Sequence, residues 1–386
     1  MSFNHLSDTL TRLQASHLRR QVVEVSGGND VQLSANNNVY LNFSSNDYLG
    51  LATESSVIEA SVEAARTYGI GSGGSSLVTG HSSLHQRLQD LICDITEQES
   101  CMLFSSGFAA NSGVISALLG KGDLLIQDKL NHASLMEAGM QSAAIMKRFH
   151  HNDMAKLAKL LAAPSKPRDG SKLIVTEGVF SMDGDEGELS SIDQLVRQSD
   201  SWLMVDDAHG FGINGNGRGS CAKANIQPNL LMATFGKAIG TSGAFVAANS
   251  EVIDFLINTC RHYIYSTALP MPVVAATIKS IELSQQTWRH DKLNERIDHF
   301  RARAQQARLQ LMPSSSAIQP IIVGASDKAI AMSDYLKSNG LWVSAIRPPT
   351  VPVNTARLRV TLSNNHQLSQ IDTLVDTLAI AQEVAA

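Results

Sequence analysis

The sequence predicts an α/β protein: a large domain built on a mainly parallel sheet, followed by a smaller α+β domain at the C-terminal end. Two observations carry this reading. Between about residues 84 and 280, helical patterns such as LHQRLQDLICDIT alternate with the short apolar runs CMLF, DLLIQD, KLIVTEG, WLMVDDAH, LLMATFG and AFVAAN. Runs with no polar alternation suit strands covered by helices on both faces, as in repeated βαβ units. Beyond a long helical pattern over 270–312, the segments IQPIIVG, LWVSAIR and RLRVTL interleave with a helix near DKAIAMSDYLKSNG and a last helix. At 386 residues the chain has room for both domains. The expected division is an N-terminal segment 1–50, a large domain 51–280 and a small domain 281–386.

Taken in order, the N-terminus alternates polar and apolar residues at helical spacing and lacks the apolar core of a signal peptide. VYLNFSSNDYLGL reads as a short strand entering a turn, and SSVIEASVEAARTYG as a helix. The next segment, GIGSGGSSLVTG, contains Gly69, Gly71 and Gly74 in the GxGxxG spacing of a dinucleotide site. That motif needs a strand before it and a helix opening on its last glycine, whereas a helical pattern precedes it here. Close backbone packing, or an approach to a ligand, fits these glycines better.

Composition narrows the function. With 43% hydrophobic and 17% charged residues the chain reads as an ordinary globular protein, and a net charge of -5 supplies no sequence-wide positive field for nucleic acid. No run approaches a membrane span, so no membrane partner is expected. Cys93, Cys101, Cys221 and Cys260 lack CxxC spacing, and no His/Cys cluster has a zinc-like interval, so no metal is expected and free thiols in a reducing cytoplasm are. The acidic loop of TEGVFSMDGDEG has Asp183 and Asp185 but lacks the remaining ligands of a calcium loop.

Several polar residues stand at the ends of apolar runs. WLMVDDAHG ends in Asp206, Asp207 and His209; a carboxylate there can cap a helix, or can hold a ligand cation with His209 as hydrogen-bond donor. FSSGFAANSG follows CMLF and opens a helical pattern, so the amides of Ser106, Gly107 and Phe108 can bind an anion at a helix N-terminus. Thr234, Ser266 and Thr267 offer further hydroxyls for the same anion. His132 and Ser181 follow two other strand-like runs. Lys237 lies among small residues in MATFGKAIGTSG and fits no Walker frame. A phosphate-like turn, a histidine, a serine, a strand-end Asp-x-x-His and a lysine together describe a site for pyridoxal 5'-phosphate. Its aldehyde needs an amine, its pyridine nitrogen a carboxylate, and its phosphate a cluster of donors.

The stretches NFSSNDYLGL, GIGSGGSSLVTG, SSGFAANSG, NHASLMEA, TEGVFSMDGD, VDDAHGFG, TFGKAIG, YSTALP and IRPPTVP, occurring together in this order, resemble the α-oxoamine synthases over essentially the whole chain. The resemblance implies a fold-type I transferase dependent on pyridoxal 5'-phosphate, with a mainly parallel seven-stranded sheet, that condenses an amino acid with an acyl thioester and releases CO2. The arginine of IRPPTVP points to the member acting on L-alanine and a pimeloyl thioester in biotin biosynthesis. By the same resemblance Lys237 forms the Schiff base and then serves as acid and base at Cα, Asp206 pairs with the ring nitrogen, His209 bonds the phenolic oxygen and His132 stacks on the ring. Ser181 holds the ring, while Ser106, Gly107, Phe108 and Thr234 hold ring or phosphate. Ser266 and Thr267 are expected to reach the phosphate of a neighbouring subunit, which implies a homodimer with shared active sites. Arg359 is the expected partner of the amino-acid carboxylate, with Asn46 on the substrate side. Arg19, Arg347 and Thr350 are expected on the acyl-thioester side. The sequence departs from relatives in AIG after the lysine and in GHSSLH, and neither departure removes a reacting group.

Overall fold

The computed structural model describes residue 3, residues 5–163 and residues 170–384. Its strands in chain order are β1 (Gln32–Ala35), β2 (Asn38–Asn42), β3 (Ser100–Phe104), β4 (Leu124–Asp128), β5 (Ile145–Phe149), β6 (Lys172–Glu177), β7 (Trp202–Asp206), β8 (Leu230–Thr234), β9 (Ala244–Ala248), β10 (Ile318–Gly324), β11 (Leu341–Trp342), β12 (Ser344–Ile346) and β13 (Ala356–Thr361). They belong to two compact units, one of residues 49–181 and 185–290, the other of residues 1–48, 182–184 and 291–386.

The larger unit is built on a seven-stranded sheet of order β3-β9-β8-β7-β6-β4-β5. Strands β8, β7, β6, β4 and β5 run parallel, and only β9 is reversed, so β3 regains the common direction at the far edge. The apolar runs form the inner strands because both faces are covered. Along β7, Leu203 and Val205 join one core with the helices Ser83–Thr96 and Leu189–Arg197, while Met204 joins the opposite core with the helices Gly107–Leu118 and Ala133–Gln141. The seventh strand, β5, is absent from the apolar runs of the sequence. Its segment IMKRF lies at the edge, where Lys147 and Arg148 are tolerated and a charged outer strand resists pairing with other chains.

The GxGxxG segment follows the helix Ser55–Tyr68, with Gly69 at φ +81° as its C-terminal cap. It packs against the chain near Ala268: Ser72 Oγ donates to the Ala268 carbonyl at 2.6 Å, and a Cβ on Gly80 would stand 2.6 Å from the Ala268 Cβ. The absent side chain at Gly80 lets the two segments approach, whereas a Cβ on Gly69 or Gly71 would meet nothing within 4 Å, so close packing does not account for those two glycines.

In the smaller unit β1 and β2 form a hairpin whose central residues, Asn36 (φ 49°) and Asn37 (φ 63°), take the left-handed conformation of a type I′ turn. β11 adds to this hairpin in parallel, and β10, β13 and β12 make an antiparallel sheet with the helices Ser326–Ser338 and Leu368–Val384 beside it in sequence. Among the described residues, no helix is long and apolar enough to cross a membrane.

One ion cluster fastens the loop after β6. His151 bonds Asp128, at the end of β4, at 3.2 Å through Nδ1 and Asp185 at 2.6 Å through Nε2. Burial lowers the affinity of this ring for a proton, but the two carboxylates outweigh it and raise the pKa from 6.5 to about 9. A group raised in this way stabilises the fold fully below its unfolded value and loses that effect as pH climbs through its folded value. His151→Gln is therefore expected to lower stability at pH 6.5 by about 1 kcal/mol, after screening of a half-exposed ring is allowed for. The gap to the parent should close by about pH 10, above the folded value near 9. Thermal unfolding across that range checks this, and a gap constant with pH would refute it.

Candidate active site

Six of the seven strands deliver their carboxyl ends to one edge of the sheet, where ligands gather in open α/β folds. A cavity at this edge is lined by Gly107 and Phe108 after β3, His132 after β4, Glu177 on β6, Asp206 and His209 at β7, and Thr234 and Lys237 at β8. Alternation along the strands decides which side chains reach it. Glu177, Asp206 and Thr234 lie two residues beyond Val175, Met204 and Met232, so all three stand on the face covered by the helix Gly107–Leu118.

The Asp206 carboxylate is 4% exposed. Its Oδ2 accepts from Asn111 Nδ2 at 2.8 Å and its Oδ1 from the Ala208 amide at 3.0 Å, which fixes the group at the cavity wall. Lys237 Nζ lies 3.3 Å from Thr234 Oγ1. His132 caps the helix Ala133–Gln141, its Nδ1 accepting from the Ser134 amide at 3.2 Å. Burial pulls its pKa down, Asp206 draws it up and Lys237 lowers it again.

Glu177 has no counterpart among the site residues read from sequence. It faces Asp206 in the register of β6 and β7 and is 2% exposed. Its carboxyl accepts the amide of His132 at 2.5 Å and that of Ser181, so it ties together the turns that follow β4 and β6. Burial, and then the charge of Asp206, hold its pKa well above the usual carboxylate range, against the pull of these amides and of Lys237. Asn111 and Ser134 also line the cavity and were not singled out. The signal that marked Asp206, a carboxyl group ending an apolar run, is present at Glu177 in KLIVTEG.

The remaining site residues stand elsewhere. Ser106 caps the helix Gly107–Leu118, its Oγ accepting from the Ala109 amide at 3.2 Å. Ser181 is buried and Ser266 half-buried, and Thr267 is exposed and bridged to Ser75; none of these four lines the cavity. In the smaller unit, Arg359 donates to Asn46 Oδ1 and Thr361 Oγ1, both at 3.1 Å. Arg347, Thr350 and Arg20 line one hollow, in which Arg20 donates to Thr350 Oγ1 at 3.1 Å. Arg19 lines a different one, along the N-terminal helix with Ser7 and Thr11.

These residues fit pyridoxal phosphate. An amine, a fixed carboxylate and two histidines converge on the cavity. The N-terminus of the 12-residue helix Gly107–Leu118 opens on it with amides that lack intrahelical acceptors. Gly107 keeps the wall low, since a Cβ there would come within 2.6 Å of Thr234 Cγ2.

The family of class I and II aminotransferases matches residues 38–378. The 8-amino-7-oxononanoate synthase of Saccharophagus degradans is 47% identical over 342 residues, 87% of this chain and 85% of its own length. That of Aliivibrio fischeri is 48% identical over 332 residues, 85% of each chain. Among solved structures, a serine palmitoyltransferase variant from S. paucimobilis with bound PLP and myriocin superposes with a TM-score of 0.92 at 28% identity, covering 99% of this chain and 98% of its own. The seven-stranded sheet is that of the fold-type I pyridoxal phosphate transferases.

The clamp formed by Glu177 makes a test of acceptor against charge. Glu177→Leu leaves the amides of His132 and Ser181 without their acceptor and is expected to cost about 1–3 kcal/mol for each buried N–H left unpaired. Glu177→Gln keeps a carbonyl oxygen in place and should retain most of the stability. Chemical unfolding of the three proteins checks this, and equal losses in both variants would show that the negative charge is the feature that matters.

Proposed function

The chain belongs to the class I and II aminotransferase family and, within it, to the 8-amino-7-oxononanoate synthases, and from that premise we propose that it joins L-alanine to a pimeloyl thioester, releasing 8-amino-7-oxononanoate, CO2 and free thiol in biotin biosynthesis. It is an acyltransferase that uses pyridoxal 5'-phosphate. The observation that carries the reading is the convergence of Lys237, Asp206, His132 and His209 on one cavity at the carboxyl edge of the sheet. When bound, pyridoxal phosphate supplies an electron sink that lets a carbanion form at the amino acid's Cα.

The chain's residues then divide the work. Lys237 would hold the cofactor aldehyde through its amine and would move the proton to and from the amino acid's Cα. Asp206, held by Asn111 and the Ala208 amide, keeps the ring nitrogen protonated. His209 donates to the phenolic oxygen, His132 covers a ring face, and Ser181 supports the ring. Ser106, Gly107, Phe108 and Thr234 receive the phosphate. Ser266 and Thr267 serve the phosphate of a second copy in a homodimer. Arg359, already oriented by Asn46 and Thr361, pairs with the alanine carboxylate through two parallel hydrogen bonds. Arg19, Arg347 and Thr350 attend the acyl thioester. The joined product is a β-keto acid, from which CO2 departs readily. The reaction takes place in the cytoplasm and needs no metal, membrane or nucleic acid.

Lys237→Ala is expected to abolish the visible colour of the bound cofactor and to lower turnover by about 10³-fold or more. The substrate assignment is checked by following thiol and CO2 release with L-alanine and pimeloyl-CoA, against glycine with acetyl-, succinyl- or pimeloyl-CoA. Faster release from any glycine pair would overturn it.

A further inference from the structure

A buried chain of hydrogen bonds runs from Asp206 to His132 through the side chains of Asn111 and Ser134. Asn111 Nδ2 donates to Asp206 Oδ2 at 2.8 Å and to Ser134 Oγ at 2.9 Å, and Ser134 Oγ lies 2.8 Å from His132 Nδ1. Asn111 and Ser134 are each 1% exposed. The proton positions follow from counting donors. Turning the Asn111 amide over would aim its oxygen at the Asp206 carboxylate, so the NH2 group faces both partners. That group can only donate, which makes Ser134 Oγ its acceptor and leaves the serine hydrogen for His132 Nδ1. The Ser134 amide also points at Nδ1, at 3.2 Å, and an N–H cannot accept. Two donors thus meet at Nδ1, and the single proton of a neutral ring belongs on Nε2.

We infer that Asn111 and Ser134 are positioning residues that lock His132 into the neutral, Nε2-protonated tautomer and tie its ring to the Asp206 carboxylate. A cationic ring would lose the bond from the Ser134 amide at Nδ1 and would force the Ser134 hydroxyl to turn from donor to acceptor. The charged groups acting on the ring divide: Asp206 favours a cation and Lys237 opposes one, with burial on the side of Lys237, while Glu177 holds the His132 amide rather than its ring. The consequence is an N–H donor that adds no second positive charge beside Lys237. Such a donor can serve a substrate oxygen and still stack on a ring whose nitrogen is protonated.

The inference rests on the proposed function only in placing the cofactor in this cavity. Nitrogen-15 spectra of the histidine-labelled holoenzyme, with the His132 signals identified from His132→Asn, read the tautomer without substrate. In the parent protein Nδ1 should be bare and Nε2 protonated across the neutral range. Ser134→Ala removes one donor from Nδ1, so the Nδ1-protonated form should appear and the titration midpoint of His132 should rise by about one pH unit. Asn111→Ala should shift it in the same direction, because Ser134 loses its donor and Asp206 gains influence on the ring, and it serves if Ser134→Ala does not fold. The acidic limb of kcat/KM should move with the midpoint, which a merely structural role would leave in place. A proton on Nδ1 in the parent, or an unchanged midpoint in both variants, would overturn the inference. Failure of the alanine and pimeloyl-CoA assay would instead strike at the reaction alone.

Discussion

The site depends on how carboxyl groups are kept inside the protein at the carboxyl edge of the sheet. Glu177, Asp206 and Asp207 are all buried there, on two adjacent strands and the turn that follows, where an unpartnered charge is costly. Each has a different set of donors: two turn amides for Glu177, an asparagine and an amide for Asp206, and the Ser220 amide at 2.7 Å for Asp207. Three of these donors, Asn111, Ala208 and His132, line the cavity. Satisfying Asp206 places Asn111 on the first turns of its helix, and satisfying Glu177 fixes the start of the next helix at His132. Electrostatic need and cavity geometry therefore share the contacts of Asp206 and of the His132 amide.

The sheet supplies the rigidity this requires. Parallel strands buried on both faces leave no freedom of register, because a slip of one residue would send every side chain into the opposite core. Val175, Met204 and Met232 lie in one layer, so Glu177, Asp206 and Thr234 emerge beside one another at the end of that layer. The reversed strand β9 joins β3 to β8, which brings the helix N-terminus at Gly107 to the same edge. The sheet thus sets Glu177, Asp206 and Thr234 directly, and the short turns after its strands carry the other lining residues to the same cavity.

Much of this was legible in the sequence where chemistry and periodicity agree. The apolar runs located six of the seven strands, and polar residues at their ends located Gly107, His132, Asp206, Thr234 and Lys237 around one cavity. IMKRF was missed because an edge strand need not be apolar, and the hairpin before it because two asparagines signal a type I′ turn only once the flanking strands are known. Asn111 and Ser134 were missed for a different reason. Each lies inside a helix and ends no apolar run, and its importance comes from what faces it at the cavity wall. Glu177 was within reach of sequence reasoning, since it ends an apolar run as Asp206 does.

The paired aspartates of VDDAHG show how far alternation alone can separate two identical residues. Asp206 shares the face of Met204 and meets Asn111 and the cavity, whereas Asp207 turns to the face of Val205 and meets Ser220. Burial, against the two bonds from Ser220, raises the pKa of Asp207 to about 7. Gly178, Gly210 and Gly219 close around its carboxyl so tightly that a Cβ on any of them would collide with an oxygen of the group. At Gly219 the backbone also adopts φ +105°, which a side chain would strain. Asp207 therefore anchors the turn that carries Ala208 and His209 into the cavity while remaining outside it. One aspartate lines the cavity, and its neighbour sets the shape of the loop that lines it.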